Sequence, residues 1–406
     1  DEIQAYNPYM LAIVGNTLKV LKNNGSMITV MTATLPAYIN YILLNDFNFK
    51  MIDLSEEQYK DLNVKNLSFF RHKIEYIEVA DETEFIKQVK QKIRSAFENG
   101  MNKIIVVLNT VRISIEVYEA LKDDKTQDAK VLLFHARMLE KVKDRIIDEF
   151  RNSDKVVLVA TQTIEASVNI DADYIISQMA PPDSLVQRMG RVYRNRNSNY
   201  NREEPNVTIL KMPFEKDPMV KSNFYDEELM KKSEEVLKDK YLNKTLDFKL
   251  EKYFVEEATS EEKIKSKFLY KYEKTKNYAE HLSGLPFGKD DIEKIFRNIS
   301  SVTLYVSNYI SKEKSDQDKT SNLMQKIERY KNSINLPFFV FKKISKKIEQ
   351  GDILAWDNVL SVQSKSRLFI KINPEYLTLF EEEGLEGLIY KEGLELEETE
   401  ENWNIL

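Results

Sequence analysis

Three arginines and a glutamine stand close together in the segment Ser184–Asn195, which reads S-L-V-Q-R-M-G-R-V-Y-R-N. Arg188, Arg191 and Arg194 recur every third residue, so a helix through this segment would place them along one broad face. Guanidinium groups stay charged and grip phosphate oxygens in pairs, which suits a nucleoside triphosphate whose terminal phosphoryl group is transferred. The prolines at 181–182 favour a helix start just before the arginines. The plain alternative is a solvated basic helix face.

Two buried strands flank this segment on its upstream side. Val156–Ala160 is a short, β-branched apolar run of strand length, and Tyr174–Met179 has the same character. Thr161 follows the first run directly. Because open α/β sheets bind ligands at the carboxyl ends of their strands, Thr161 is a candidate ligand-contacting residue.

The N-terminus offers a second set of chemical groups. The chain opens with Asp1 and Glu2, and the sequence T-A-T-L-P occupies residues 32–36. An Asp after a strand can hold Mg²⁺ through water, and a neighbouring Glu can polarise an attacking water molecule. The alternatives are a solvated tail for the acidic pair and a simple strand-to-turn closure for the two threonines.

Two further strand ends carry polar side chains. Lys103–Thr110 reads as a buried strand followed by the helix Val111–Leu121, and Lys130–Arg137 reads as another strand end. His135 and Arg137 lie where that strand stops and are candidates for contact with a nucleic-acid backbone. Arg137 is the stronger of the two, because phosphate contact favours a permanent charge.

In combination these blocks resemble motifs II to VI of superfamily 2 helicases. In more detail they resemble the helicase-nuclease of type I CRISPR interference, in which an A-T-Q-x-x-E run precedes A-P-x-D-S-L-x-Q-R-x-G-R-x-x-R. One position departs from the family pattern, because Asn169 stands where that family usually has Asp. Asn keeps a hydrogen-bonding side chain but lacks the negative charge of Asp. The matching positions in the first run are Thr161, Gln162, Glu165, Ser167, Asp171 and Asp173.

The resemblance implies ATP and Mg²⁺ as cofactors and assigns roles to these positions. Asp1 would hold Mg²⁺, Glu2 would orient the attacking water, and Arg191 and Arg194 would reach the γ-phosphate. The other implied roles are nucleotide contact or support for Glu165, Asn169, Gln187 and Arg188, nucleic-acid contact for Thr110, His135, Arg137 and Thr161, and coupling for Thr32 and Thr34.

A phosphate-binding loop is the part that such a motor still needs. The nearest candidate, G-L-P-F-G-K-D at residues 284–290, has its glycines one residue too close and an Asp in place of the hydroxyl residue. The chain has three scattered histidines and no His-Asp dipeptide, so we expect no metal nuclease site in it. We therefore expect the downstream part of a larger helicase, with an upstream helicase segment and an HD nuclease fused to it or separate.

Composition narrows the class only broadly. At 406 residues the chain is long enough for two or three domains. Its net charge of −6 gives no indication of nucleic-acid binding. It has no cysteine, which excludes disulfides and thiolate zinc sites and fits a reducing, cytoplasmic setting. No segment approaches the about 18 apolar residues of a membrane-spanning helix.

The predicted fold class is α/β, with RecA-like parallel-sheet lobes of which the first is incomplete. We expect the end of a first lobe over residues 1–75, a second lobe over 76–215, a helical connector over 216–300 and a small α+β domain over 301–406. Strand and helix alternate through the second lobe, which predicts a parallel sheet covered on both faces. The predicted strands there are Ile74–Val79, Ile104–Leu108, Val131–Phe134, Val156–Ala160, Tyr174–Ser177 and Val207–Leu210.

Three segments outside the second lobe carry further expectations. Met27–Ala33 has the character of a buried strand, and the C-terminal domain is expected to contain strands at Val302–Val306, Phe338–Phe341 and Leu368–Ile372. Glu381–Glu401 is strongly acidic and is expected to be a solvated tail, with charge mimicry in a DNA channel as the alternative.

The function that the resemblance implies is ATP-driven 3′-to-5′ travel on single-stranded DNA presented by a CRISPR RNA-guided surveillance complex. Two alternatives remain open on the sequence. One is an RNA helicase of the DEAD-box type, which shares the fold; the other is a non-catalytic scaffold lobe.

Overall fold

The computed structural model describes most of the chain. The described residues are 2–53, 69–122, 124, 128–165, 168–196, 198–242, 244–282, 301–310, 326–348, 354–357 and 368–378. Asp1, Ser167, the glycine-containing segment 284–290 and the acidic segment Glu381–Glu401 lie outside these residues. Within the described ranges no helix is both long and apolar enough to cross a bilayer.

A seven-stranded sheet organises the first two-thirds of the molecule, and its spatial strand order is β3-β4-β2-β5-β6-β1-β7. The pairings β1–β6, β5–β6 and β3–β4 are parallel, and the two-residue β7 pairs antiparallel with β1. The strands are β1 His72–Glu78, β2 Lys103–Val107, β3 Lys130–Phe134, β4 Val156–Ala160, β5 Tyr174–Gln178, β6 Val207–Lys211 and β7 Thr245–Leu246.

Strands β1 to β6 form where the sequence has apolar, β-branched runs, and each lies within two residues of its predicted position. The sequence does not predict the two-residue strand β7. Every residue of β4 and β5 is buried. Since successive side chains of a strand point to opposite faces, burial of both sets means that both faces of these strands are covered. The structure confirms the predicted α/β class with a parallel-strand sheet.

Two compact units make up the chain. The first contains Asp1–Ile105 and Glu165–Arg297, and the second contains Val106–Ile164 and Asn298–Leu406. The division follows packing, and its boundary falls within β2. The four-part domain boundaries expected from the sequence remain predictions.

The first unit has an α-helical core beside its strands. Its helices are α1 Pro8–Asn23, α2 Ala37–Asn45, α3 Glu82–Glu98, α6 Pro182–Met189, α7 Pro218–Lys221, α8 Glu227–Val236, α9 Phe248–Thr259 and α10 Glu262–Leu282. The apolar faces of α1, α2 and α10 bury a cluster that includes Leu11, Ile39, Ile42 and Tyr272. Gly15 of α1 is part of this packing, because a Cβ there would lie 2.7 Å from the Phe47 ring.

The second unit contains β3 and β4, the helices α4 Val111–Lys122 and α5 Glu140–Asn152, and a four-stranded sheet from the C-terminal region. That sheet has the order β10-β11-β8-β9, from β8 Ser301–Val306, β9 Ser333–Pro337, β10 Leu354–Trp356 and β11 Leu368–Ile372. The helix α11, Phe338–Ile348, packs on it.

The strand prediction for Phe338–Phe341 is wrong, because this segment begins α11. Val340, Ile344 and Ile348 are all buried and stand four residues apart, which is helical spacing. The local run of three phenylalanines and a valine favours a strand, and the longer apolar period outweighs it.

The strand prediction for Met27–Ala33 is also not met. The segment is extended, but within the described residues its one backbone contact to another segment is the Met31 carbonyl, which accepts from the Glu2 amide at 3.1 Å. Met27 is 97% exposed. A strand needs a partner ladder, and the described residues provide none for this segment.

Candidate nucleotide and nucleic-acid sites

The predicted arginine row does not share a helix face. Helix α6 begins at Pro182, after Pro181, and ends at Met189, with Gly190 as its C-cap. Arg191 and Arg194 therefore lie beyond the helix, in a segment that we call the arginine turn, Gly190–Arg196. The prediction of three arginines along one helix is wrong, although the predicted helix start is confirmed.

Backbone pairing with the segment before β5 explains where the helix stops. The Ala172 amide donates to the Arg191 carbonyl at 2.9 Å, and the Tyr193 amide donates to the Ala172 carbonyl at 3.0 Å. Tyr193 adopts a left-handed backbone conformation with φ of 53°. Such a conformation is uncommon for a residue other than glycine, so the surrounding contacts must hold it in place.

Arg188 is fully buried and bonded within the first unit. Its Nε donates to Glu165 Oε1 at 2.7 Å, and its Nη1 donates to Ser177 Oγ at 3.1 Å and to the Gln178 carbonyl at 3.0 Å. Burial lowers the pKa of Arg188, but the charge and hydrogen bond of Glu165, together with those of Tyr225, outweigh burial and raise the pKa above its usual value. Arg188 and Glu165 thus form a buried ion pair behind the arginine turn.

Arg191 lies between backbone and carboxylate groups. Its Nη2 donates to the Glu165 carbonyl oxygen. Partial burial and the nearby charge of Arg194 lower the pKa of Arg191, while the charges of Glu2 and Glu165 act in the opposite direction. Glu2 and Arg191, which the chain separates by almost 190 residues, therefore lie close enough to interact electrostatically.

Arg194 is held by its backbone and not by its side chain. Its amide donates to Asp171 Oδ1 at 2.9 Å, and the next amide, of Asn195, donates to Asp171 Oδ2 at 3.4 Å. Its buried Nη1 atom has no hydrogen-bond partner among the described residues. A guanidinium with a spare donor suits a ligand that brings several acceptor oxygens.

Glu2 is the centre of a polar network in the first unit. Its Oε2 accepts from the Gln4 side chain and, at 3.3 Å, from Gln187 Nε2. Gln4 Oε1 accepts in turn from Thr32 Oγ1 at 2.5 Å, and Thr32 Oγ1 also accepts from the amide of Thr34 at 3.2 Å. The network joins the start of the chain, the T-A-T segment and helix α6. Asp1 itself is outside the described residues.

The remaining candidates near the arginine turn are placed differently. Asn169 is exposed. Asp173 Oδ2 accepts from the amides of Asn102 and Lys103 at 3.0 and 2.9 Å, so this carboxylate fixes the start of β2. Its other oxygen lies 2.9 Å from Arg196 Nη2.

Polar residues at strand carboxyl ends form a second candidate site, in the second unit. Thr161 follows β4 directly, and its amide donates to the Phe134 carbonyl at the end of β3. Thr110 is buried, and its hydroxyl accepts from the Ile113 amide at 3.3 Å, within the first turn of α4. Gln162 Nε2 donates to the Asn109 carbonyl at 2.7 Å and ties two of these strand ends together. We call the surface formed by Thr110, Thr161 and Gln162 the strand-end edge.

His135 and Arg137 belong to the same edge but differ in exposure. His135 is completely buried, and its Nδ1 accepts from the Arg137 amide at 3.2 Å. The fold covers the imidazole, so direct contact with a nucleic-acid strand, as we predicted for it, is not supported, and His135 instead shapes the loop that carries Arg137. Arg137 is partly exposed, and its nucleic-acid contact stays a prediction.

Sequence reasoning missed one buried cluster beside the arginine turn. His72 and Arg71 at the start of β1 both contact Glu251 of α9. Glu251 is 179 residues from His72 along the chain, and neither residue belongs to a motif. No pattern in a single sequence marks such a pair.

A parallel sheet with polar groups at its strand ends is the arrangement of an α/β fold that binds ligands at that edge, and arginines beside a carboxylate suit phosphoryl transfer. Comparison with known proteins agrees. Residues 100–197 match the family described as "CRISPR-associated nuclease/helicase Cas3, C-terminal". The chain is 33% identical over 318 residues to the CRISPR-associated nuclease/helicase Cas3 of Methanothermobacter thermautotrophicus, a match that covers 75% of this chain and 36% of that protein.

Solved structures show the same fold. The crystal structure of T. fusca Cas3-AMPPNP superposes with a TM-score of 0.64 at 14% identity, covering 90% of this chain and 50% of that one. A chain of a CRISPR RNA-guided surveillance complex, pre-nicking, gives 0.60 at 14% identity, covering 91% and 53%. Over three-quarters of its length the chain is thus similar to a nuclease/helicase of the Cas3 type, and it spans 36% of the length of that curated relative.

Proposed function

We propose that this chain is the downstream part of an ATP-dependent motor that moves 3′ to 5′ along single-stranded DNA in type I CRISPR interference. One observation carries the proposal: the arginine turn and Gln187 lie at the carboxylate of Glu2, in a chain whose strand ends form a separate polar edge. A carboxylate beside arginines is the arrangement that phosphoryl transfer to water requires.

The proposed roles follow from the contacts. Glu2 orients the attacking water, and Gln187 and Gln4 fix the direction of its carboxylate. Arg194, with a buried donor that no described residue satisfies, and Arg191 neutralise the charge that develops on the γ-phosphate. Glu165, which pairs with Arg188, holds Arg191 through its carbonyl oxygen.

Mg²⁺ accompanies ATP in such reactions and neutralises charge on the phosphates. A carboxylate is a ligand type that Mg²⁺ prefers, and we propose Asp1 as its protein ligand. Asn169 remains a proposed nucleotide contact, and Thr32 and Thr34 are proposed to couple the nucleotide site to the DNA, because they are bonded to Gln4 of the Glu2 network.

Single-stranded DNA is proposed to run along the strand-end edge. Arg137 supplies the charge for phosphate contact, and Thr110 and Thr161 are proposed to lie beside the DNA strand. The net charge of −6 means that attraction must come from this local surface and not from the whole chain.

The partners that fit this activity are a CRISPR RNA-guided surveillance complex, which presents the DNA, an upstream helicase segment with a phosphate loop, and an HD nuclease. The likeness to a chain in a surveillance complex supports the first of these. The proposed setting is the cytoplasm, where foreign DNA is met.

Directional displacement tests the proposal. The complete helicase should remove a blocking protein from the 5′ end of single-stranded DNA in the presence of ATP and Mg²⁺, and leave one bound at the 3′ end. ATP turnover should rise with single-stranded DNA and not with RNA of the same sequence. Stimulation by RNA alone would favour a DEAD-box-like activity, and stimulation by neither would favour a scaffold.

A further inference from the structure

A buried histidine connects helix α9 to the arginine turn. His72, the first residue of β1, is 0% exposed and lies between two partners. Its Nδ1 is 2.5 Å from Glu251 Oε1, and its Nε2 is 2.9 Å from the carbonyl oxygen of Val192. Arg71 Nη2 donates to the other oxygen of Glu251 at 2.9 Å.

The chemistry of the partners fixes how His72 bonds. A carbonyl oxygen can only accept, so Nε2 of His72 carries a proton and donates it to Val192. Glu251 is 2% exposed, and Arg71 supplies the opposite charge that a buried carboxylate needs. Glu251 therefore sets the orientation of the ring, as a carboxylate does for a histidine that must present its far nitrogen to a partner.

Val192 is the residue that follows Arg191 and stands two before Arg194. On one side the Arg191 carbonyl is fixed by Ala172, and on the other the Arg194 amide is fixed by Asp171. Between them Tyr193 holds its left-handed conformation. The His72 side chain, which lies outside the arginine turn, thus holds the turn at the Val192 carbonyl, next to the left-handed residue Tyr193.

Helix α9 also reaches the segment that follows the T-A-T residues. The hydroxyl of Thr259, at the end of α9, accepts from the Ala37 amide at 2.9 Å. The same helix therefore touches the start of α2 at one end and, through Glu251 and His72, the arginine turn at the other.

We propose that His72, oriented by Glu251, is a positioning residue that sets Arg191 and Arg194 for ATP hydrolysis. The inference rests on the proposed function, since it assigns His72 a task in the same site. It makes α9, which the sequence marks only as part of a charged connector, a determinant of the rate of hydrolysis.

Two substitutions of His72 separate positioning from packing. In His72→Gln the amide nitrogen lies about where Nε2 lies and keeps the donor to Val192, whereas in His72→Asn it lies about where Nδ1 lies and keeps only the contact to Glu251. Each variant loses one hydrogen bond, and Asn is also one methylene shorter than Gln, so His72→Asn should unfold at a somewhat lower temperature than His72→Gln. Turnover is therefore compared at a temperature at which both variants are fully folded. Both are made in the complete helicase.

DNA-stimulated ATP turnover then gives the answer. His72→Asn should lower kcat roughly 10-fold with little change in KM for ATP, because small misplacements of catalytic groups cost up to about 10²-fold. His72→Gln should stay within roughly threefold of the parent, since its donor to Val192 remains. If neither His72 variant folds, Glu251→Gln, which keeps an acceptor for Arg71, should still lower kcat severalfold.

The background of Arg191→Ala completes the test. There His72→Asn should cause no further loss, since it acts through the turn that the first substitution has already disabled. Equal kcat losses for His72→Asn and His72→Gln, or a full additional loss in the Arg191→Ala background, would overturn the positioning role. A defective Arg191→Ala with a normal His72→Asn overturns this inference alone, whereas a fully active Arg191→Ala overturns the proposed function itself.

Discussion

The arginine turn of the first unit and the strand-end edge of the second use polar residues in opposite ways. In the turn, backbone and buried groups hold charged side chains beside the Glu2 carboxylate. At the edge, Thr110, Thr161 and His135 are buried, the side chains of Thr110 and His135 accept from backbone amides, and the charge comes from Arg137. A site for a highly charged nucleotide needs preorganised charges, whereas a surface that slides along a backbone needs fewer of them.

The largest expected effect concerns the completeness of the nucleotide site. We expect this chain alone, purified free of other helicases, to show no measurable ATP turnover with single-stranded DNA, because the segment at 284–290 does not match a phosphate loop. Phosphate release is the measurement. Sustained release above the buffer control would show that the arginine turn does not depend on a loop supplied elsewhere.

Removing the partner of Arg188 should be the next largest effect. Glu165→Ala leaves a buried guanidinium without its counter-charge, so we expect a loss of about 3–5 kcal/mol in the free energy of unfolding. The matched control is Glu149→Ala on α5 of the second unit, whose exposed pair with Lys130 should contribute at most about 1 kcal/mol. Urea unfolding measures both, and similar losses would contradict the contrast between the two regions.

Arg137 should control DNA binding and leave the chemistry intact. Arg137→Ala should weaken binding to single-stranded DNA and reduce the slope of log K against log salt by about one phosphate contact. Basal ATP turnover should stay near normal. The control is Arg151→Ala, an exposed arginine on α5 paired with Asp148. An unchanged salt slope in Arg137→Ala would show that Arg137 does not contact a DNA phosphate.

The smallest effect concerns the extended segment after α1. No described residue accepts a backbone hydrogen bond from the amides of Ile28–Met31. We expect these amides to exchange quickly in this chain alone, and the exposed Met27 to favour aggregation. Strong protection of the four amides in a monodisperse sample would contradict this.

The sequence predicts the central sheet well because its strands are short apolar runs in which burial and local propensity agree. The sequence-based prediction fails where a backbone contact from a distant segment determines the local structure. The three-residue spacing of the arginines is real, but the pairing of Ala172 with Arg191 and Tyr193 ends the helix at Met189. Periodicity cannot show a contact between residues about 20 apart in the chain.

The candidate site is predictable only in part for the same reason. Motif spacing brings Glu2, Thr32 and Gln187 into one prediction, and the structure joins them by hydrogen bonds. The motif spacing does not predict the contact between His72 and Glu251, because that contact depends on how α9 packs. His135 shows the reverse failure, since a polar residue at a strand end can be buried by its own loop.

The most direct test of the central claim compares two properties in one pair of variants of the complete helicase. Arg191→Ala should lower DNA-stimulated ATP turnover by about 10²-fold or more, as expected for an arginine that stabilises phosphoryl transfer, and leave nucleotide-free binding to single-stranded DNA nearly unchanged. Arg194→Ala should behave alike. Full DNA-stimulated turnover in Arg191→Ala, or a loss of DNA binding that matches the loss of turnover, would show that the arginine turn is not part of the nucleotide site.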